Sequence, residues 1–106
     1  MDRHILDRLW EVLQQRRDAD PGSSYVAALY AGGTKKIARK IIEEAGEVVA
    51  EALDKQPEKL KAESADLLFH LMVLWAERGI TPDDIFKILE ERFGTGGLEE
   101  KRARKE

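Results

Sequence analysis

Apolar residues recur with helical spacing along nearly the whole chain. Ile5, Leu6, Leu9, Val12 and Leu13 predict an amphipathic helix from about Asp2 to Arg17. The polar run from Asp18 to Ser24, with Pro21 and Gly22 inside it, predicts a loop. Ser24 is placed to cap a short helix over Tyr25 to Ala31, which Gly32 and Gly33 would end. Thr34 then suits the N-cap of a long helix running to about Lys55, on which Ile37, Ala38, Ile41, Ile42, Ala45, Val48, Val49, Ala52 and Leu53 fill one broad arc. After the turn Asp54-Lys55-Gln56-Pro57-Glu58, a fourth helix is predicted to Arg78, with Gly79 as its stop. Its segment from Leu67 to Ala76 is apolar nearly all round, which places it in a bundle centre or a subunit interface. Thr81-Pro82-Asp83-Asp84 opens a fifth helix: a Thr cap, Pro in the first turn and acids near the helix N-terminus. That helix carries Ile85, Phe86, Ile88, Leu89 and Phe93 and stops at Gly94. The expectation is an all-α bundle of about five helices in one domain, residues 1–93, followed by a flexible charged tail, residues 94–106.

Composition narrows the function classes. A chain of 106 residues has room for one core. With no cysteine there is neither a disulfide framework nor a thiolate metal site, which suits a cytoplasmic location. A net charge of −3 provides no electrostatic basis for binding nucleic acid. Met1-Asp2-Arg3-His4 lacks the layout of a signal peptide, and the run from Leu67 to Ala76 is too short to span a bilayer.

The chemistry concentrates in two acidic pairs. Glu44 and Glu47 are one helical turn apart, and so are Glu63 and Asp66. Both pairs are symmetric about Lys55: Glu47 and Glu63 lie equally far from it, as do Glu44 and Asp66. If the two helices fold back on each other at that turn, the four carboxylates meet at two matching levels. An exposed acid on a helix is usually just solvated, but four converging carboxylates repel one another and raise their pKa values unless a cation neutralises them. All-carboxylate oxygen donors favour Mg2+, or Mn2+, over zinc. Mg2+ takes phosphate oxygens as further ligands, which points to a phosphorylated small-molecule substrate. Glu44 borders the apolar arc beside Ile37 and Val48, whereas Glu43 projects about 100° away.

Lys35, Lys36, Arg39 and Lys40 precede the acids. Lys40 stands four residues before Glu44 and would pair with it in an ordinary helix; alternatively Lys36 and Lys40 hold phosphate oxygens. His70, one turn beyond Asp66, reads either as a satisfied core histidine or as a group of the site. Trp10 and Trp75 read as core or interface residues rather than stacking platforms.

Glu43-Glu44-x-x-Glu47 followed by Glu63-x-x-Asp66 resembles the signature of the all-α, MazG-like nucleoside triphosphate pyrophosphohydrolases. Within that superfamily, Ser24-Tyr25-Val26, Leu29-Tyr30-Ala31, Gly33-Thr34-Lys35-Lys36-Ile37, Lys40, Glu63 to Leu71 and Arg78-Gly79 resemble the phosphoribosyl-ATP pyrophosphohydrolase family of histidine biosynthesis. The resemblance implies hydrolysis of the α–β phosphoanhydride of phosphoribosyl-ATP and a homodimer whose two chains complete the bundle. It also implies a stand-alone enzyme, without the cyclohydrolase domain fused to it in some organisms. By the same resemblance, Glu44, Glu47, Glu63 and Asp66 hold Mg2+, and Glu47 or Glu43 is the general base. Lys36 and Lys40 face the leaving pyrophosphate, and Ser24, Tyr25 and His70 belong to the substrate pocket. The other readings are a house-cleaning pyrophosphatase of the same superfamily and a helical interaction module with solvated acids.

Overall fold

The computed structural model describes residues 4–94; the expected tail lies outside the described residues apart from Gly94. Among the described residues there are four α-helices and one short 3-10 turn, and no strand. Helix α1 spans Ile5–Gln15, starting where His4 Nδ1 accepts the Leu6 N–H, and its last turn tightens into the 3-10 segment Arg16–Asp18. Helix α2 spans Tyr25–Leu53, α3 spans Pro57–Glu77 and α4 spans Pro82–Phe93. The Thr81 start holds in full: its hydroxyl accepts the Asp84 N–H, and the Asp84 carboxylate accepts the Thr81 N–H.

The break expected at Gly32-Gly33 falls inside α2, which consists of two helical segments meeting at a kink, so the bundle has four helices with α2 taken as one and five with its two segments taken apart. Gly33 has φ 76° and ψ −177°, a conformation essentially closed to residues with a Cβ, so a single residue turns the chain without an intervening loop. The Thr34 hydroxyl, expected to cap, instead donates to Glu77 Oε1 at 2.8 Å and ties α2 to the end of α3.

Helices α2 and α3 form an antiparallel hairpin, the principal packing of the molecule. Leu13, Leu29, Ile37, Met72 and Val73 are its buried centre, with Trp10, Tyr30, Ile41, Phe69, Leu74 and Trp75 packed around them. Both tryptophans are therefore packing residues. Two latches close the α1 end: Arg17 Nη1 donates to Ala76 O at 2.8 Å with its guanidinium over the Tyr30 ring, and the Tyr30 hydroxyl donates to Leu13 O. Most of the apolar run of α3 is covered within the chain, while Leu68 is 38% exposed, as the subunit-interface alternative allows.

Both helices of the hairpin end in the same motif. At the end of α3, Ile80 N–H reaches Trp75 O and Gly79 N–H reaches Ala76 O, with Gly79 at φ 76°. At the end of α2, Gln56 N–H reaches Glu51 O and Lys55 N–H reaches Ala52 O, but the left-handed position is held by Lys55 at φ 56°. A side chain in that region costs about 1–2 kcal/mol. Lys55→Gly is expected to raise stability by about 0.5–1 kcal/mol, the relief being offset in part by the greater freedom of glycine in the unfolded chain. Gly79→Ala should lower it by about 1 kcal/mol. Urea denaturation measures both, and a loss of stability in Lys55→Gly would refute the account.

Candidate functional site

The hairpin turn at Lys55 brings the two acidic ledges together. Glu44 on α2 and Glu63 and Asp66 on α3 each offer a carboxylate oxygen, and these atoms lie within 4.8 Å of one another. Glu44 is only 8% exposed, Glu63 is half-buried and Asp66 is open to solvent. The group therefore sits as a step from core to surface, and the burial of Glu44 follows from its place on the edge of the apolar arc beside Ile37. Glu47, one turn further along α2, is exposed and lies against Glu63 rather than within the group of three.

The electrostatics of this cluster are those of crowded like charges. The pKa of Glu63 is pushed up to about 7, first by the hydrogen bond it shares with Glu47, then by burial and by the negative charges of Glu47 and Glu44. Glu44 Oε1 and Glu63 Oε2 are buried with no hydrogen-bond partner. A buried carboxylate oxygen without a donor is a costly arrangement in a folded protein, and two of them on residues whose carboxylates converge suit a cation. The donors are all hard carboxylate oxygens, so the arrangement fits a divalent cation of the Mg2+ type and not a thiolate or imidazole metal site.

Around the acids, the structure redistributes the expected roles. Lys40 pairs with Glu43 at 3.2 Å, not with Glu44, and that contact together with Tyr25 and Glu44 raises the lysine pKa. Glu43 is exposed, as its direction on the helix predicts. Lys36 is turned toward the kink: its stem lies over Gly32 and its ammonium is 3.5 Å from Ala28 O. The Ser24 hydroxyl accepts the Ala27 N–H and is buried, so it starts α2 and thereby sets the position of Tyr25.

Tyr25 comes to the site through the kink. A straight helix from Tyr25 to Glu44 would separate them by about 28 Å. Instead the segment before Gly33 folds back on α3, and the Tyr25 hydroxyl meets His70 Nε2 at 2.8 Å. Burial raises the pKa of Tyr25, Lys40 opposes that, and the carboxylates of Glu44, Glu43 and Asp66 add to it. His70 is 5% exposed, and its Nδ1 lies 2.7 Å from the main-chain oxygen of Asp66. Neither ring nitrogen is left free. Phe69 completes the group, stacked at 6.3 Å on Tyr25 and edge-on to His70 at 5.1 Å. Its part was not readable from spacing; the one available signal is that it immediately precedes His70 in the apolar run.

Comparison with known proteins places these residues inside one sequence family. The family model described as phosphoribosyl-ATP pyrophosphohydrolase matches residues 6–93. A protein of Rhodospirillum rubrum named phosphoribosyl-ATP pyrophosphatase is 52% identical over 101 residues, covering 95% of this chain and 86% of its own length. Proteins of the same name from Azospirillum brasilense and Methylococcus capsulatus are each 50% identical over 101 residues, again over 95% of this chain, and over 91% and 96% of their own lengths.

Proposed function

The chain belongs to the phosphoribosyl-ATP pyrophosphohydrolase family, and from that membership we propose that it hydrolyses phosphoribosyl-ATP to phosphoribosyl-AMP and pyrophosphate, the second step of histidine biosynthesis. The observation that carries the reading is the match over residues 6–93, which contains the three converging carboxylates. Residues 1–93 are the catalytic domain on this reading. No helix among the described residues is long and apolar enough to cross a membrane, in keeping with an enzyme of the cytoplasm.

Glu44, Glu63 and Asp66, joined by Glu47, are the residues that would hold Mg2+, with Mn2+ as a substitute. A divalent ion bound there supplies charge neutralisation of the triphosphate and lowers the pKa of bound water. The remaining work falls to side chains of this protein. Glu47, exposed at the open side of the cluster, takes the proton of the attacking water as general base, and Glu43 is the alternative. Lys40, already balanced between Glu43 and Tyr25, stabilises charge on the departing pyrophosphate, with Lys36 reaching in from the kink. Of the pocket residues Ser24, Tyr25 and His70, the exposed Tyr25 forms the wall, and the buried Ser24 and His70 stand behind it.

The assay is pyrophosphate release from phosphoribosyl-ATP with Mg2+, and again with EDTA. Release that EDTA abolishes is the expected result. Efficient turnover of dUTP or dCTP with none of phosphoribosyl-ATP would refute it and select the house-cleaning alternative.

The protein acts as a homodimer on this reading. Ile42, Val49 and Leu53 are 71%, 57% and 77% exposed, and with Gly46 they make one apolar stripe along α2. A stripe of that spacing suits a helix of a second copy. Sedimentation should give a dimer, and the double variant Ile42→Lys with Leu53→Lys a folded monomer; a monomeric parent protein would dismiss the idea.

A further inference from the structure

The hydrogen bonds around His70 have a direction. Its Nδ1 lies 2.7 Å from the main-chain oxygen of Asp66, which can only accept, so Nδ1 carries the proton. In the neutral imidazole Nε2 is then the acceptor, and the Tyr25 hydroxyl 2.8 Å away donates to it. The Tyr25 oxygen is left with lone pairs alone to offer to anything else. The ring around it is held as well: Phe69 stacks on Tyr25, and His70 meets Tyr25 edge-on at 5.8 Å. Yet Tyr25 is 53% exposed and stands close enough to Lys40, Glu44 and Asp66 to feel their charges.

We infer that His70 is a positioning residue, touching neither metal nor substrate, which commits the Tyr25 hydroxyl proton inward so that the Tyr25 oxygen accepts a hydrogen bond from a ribose hydroxyl of the substrate. The inference rests on the proposed activity for its ligand. Phosphate oxygens have no proton to give an acceptor, and a tyrosine oxygen turned this way among carboxylates repels them. The hydrogen-bond donors such a nucleotide carries are sugar hydroxyls and the base amino group. Of these, the hydroxyls lie nearer the phosphates that the acid cluster would serve through its cation. Tyr25 thus separates the sugar from the phosphate end of the ligand, and His70 sets the polarity of that contact through the backbone of the turn that carries Asp66.

The test uses Tyr25→Phe, His70→Phe, their double variant and His70→Gln in the full chain. Each single Phe variant should raise KM for phosphoribosyl-ATP about tenfold with a smaller change in kcat, the size of one lost hydrogen bond. The double variant should be no worse than either single, because both remove the same contact. His70→Gln, which keeps an acceptor oxygen where Nε2 stood, should recover KM to within about threefold of the parent. The Kd for Mg2+ alone should be unchanged throughout. A multiplied loss in the double variant would overturn the shared contact, and a Mg2+ Kd raised about tenfold or more in His70→Phe would make His70 part of the metal site instead. Independently of any substrate, the imidazole nitrogen-15 shifts of His70 in the metal-free protein should report a proton on Nδ1, and one on Nε2 would overturn the direction. If the parent protein fails to turn over phosphoribosyl-ATP, the proposed activity and the ribose contact fall together, while the nitrogen-15 result still decides the direction of the Tyr25–His70 hydrogen bond.

Discussion

Glu44→Gln is expected to lose Mg2+-dependent pyrophosphate release while making the metal-free protein harder to melt. The two effects come from the same atoms. Glu44 is the most buried member of the carboxylate group, and its Oε1 has no hydrogen-bond partner. Leaving a buried polar atom unpaired costs on the order of 1–3 kcal/mol. The amide of Gln removes a negative charge from beside Glu63 and brings an N–H that can reach the unpaired Glu63 Oε2. The melting temperature without metal should therefore rise by several degrees, since about 1 kcal/mol corresponds to roughly 4–8 °C in a domain near this size. Activity moves the other way. Loss of groups that merely support a metal ligand costs about 10- to 100-fold, so loss of a ligand itself should lower kcat/KM by at least about a hundredfold. Thermal melts and steady-state assays on the same preparation decide it. Full activity in Glu44→Gln, or a lower melting temperature without metal, would remove the cation from the explanation of this cluster.

The second large effect is a pH dependence that Mg2+ should reverse. In the unfolded chain Glu63 ionises near the ordinary value of 4.5, but in the folded protein it keeps its proton to about 7. Between those values the folded state binds more protons than the unfolded one, so raising the pH favours unfolding. The stabilisation is whole below the unfolded value and is lost as pH climbs through 7. Mg2+ at this cluster would bind only where the proton has gone, and would stabilise the folded state by mass action. An ion at 100 times its Kd adds about 2.7 kcal/mol. The increment in melting temperature on adding Mg2+ should therefore be small at pH 5 and on the order of 10 °C at pH 8. Glu63→Gln should abolish both the pH slope that Glu63 contributes and most of the Mg2+ increment. An increment equal at the two pH values would sink the idea that proton and cation compete for this carboxylate.

The parts of this site that could be read in advance are those set by periodicity. The one-turn spacing of Glu44 with Glu47 and of Glu63 with Asp66, and their symmetry about Lys55, depend only on helix geometry and a turn, and the structure brings Glu44, Glu63 and Asp66 together where that symmetry requires. The burial of Glu44 and the exposure of Glu43 follow from the same 100° step. The Thr81 cap was legible because its partners are three residues away. What spacing does not contain is the choice among neighbours that are all within reach. Lys40 had Glu43 and Glu44 available, and its rotamer selects Glu43. The two consecutive glycines announced the break, but only the backbone angles of Gly33 show that a single residue makes it, with no loop between the two helical segments. The folding back of Tyr25 onto His70, 45 residues away in sequence, depends on that bend and on the packing of Phe69, neither of which has a periodic signature.

The Lys55 turn has a consequence for how this chain tolerates changes in length. It is an exposed polar reversal between two helices, the sort of place where insertions are ordinarily accepted without harm. Here the count between the ledges is a gauge. One residue added or removed within the helical stretches between Glu47 and Leu53 or between Pro57 and Glu63 would leave both helices their hydrogen bonds, but it would rotate one row of carboxylates by about 100° against the other. The protein would then keep its helices and lose the convergence of its carboxylates, so a chain whose surface looks permissive has a stretch in which length, more than residue identity, is the constrained quantity.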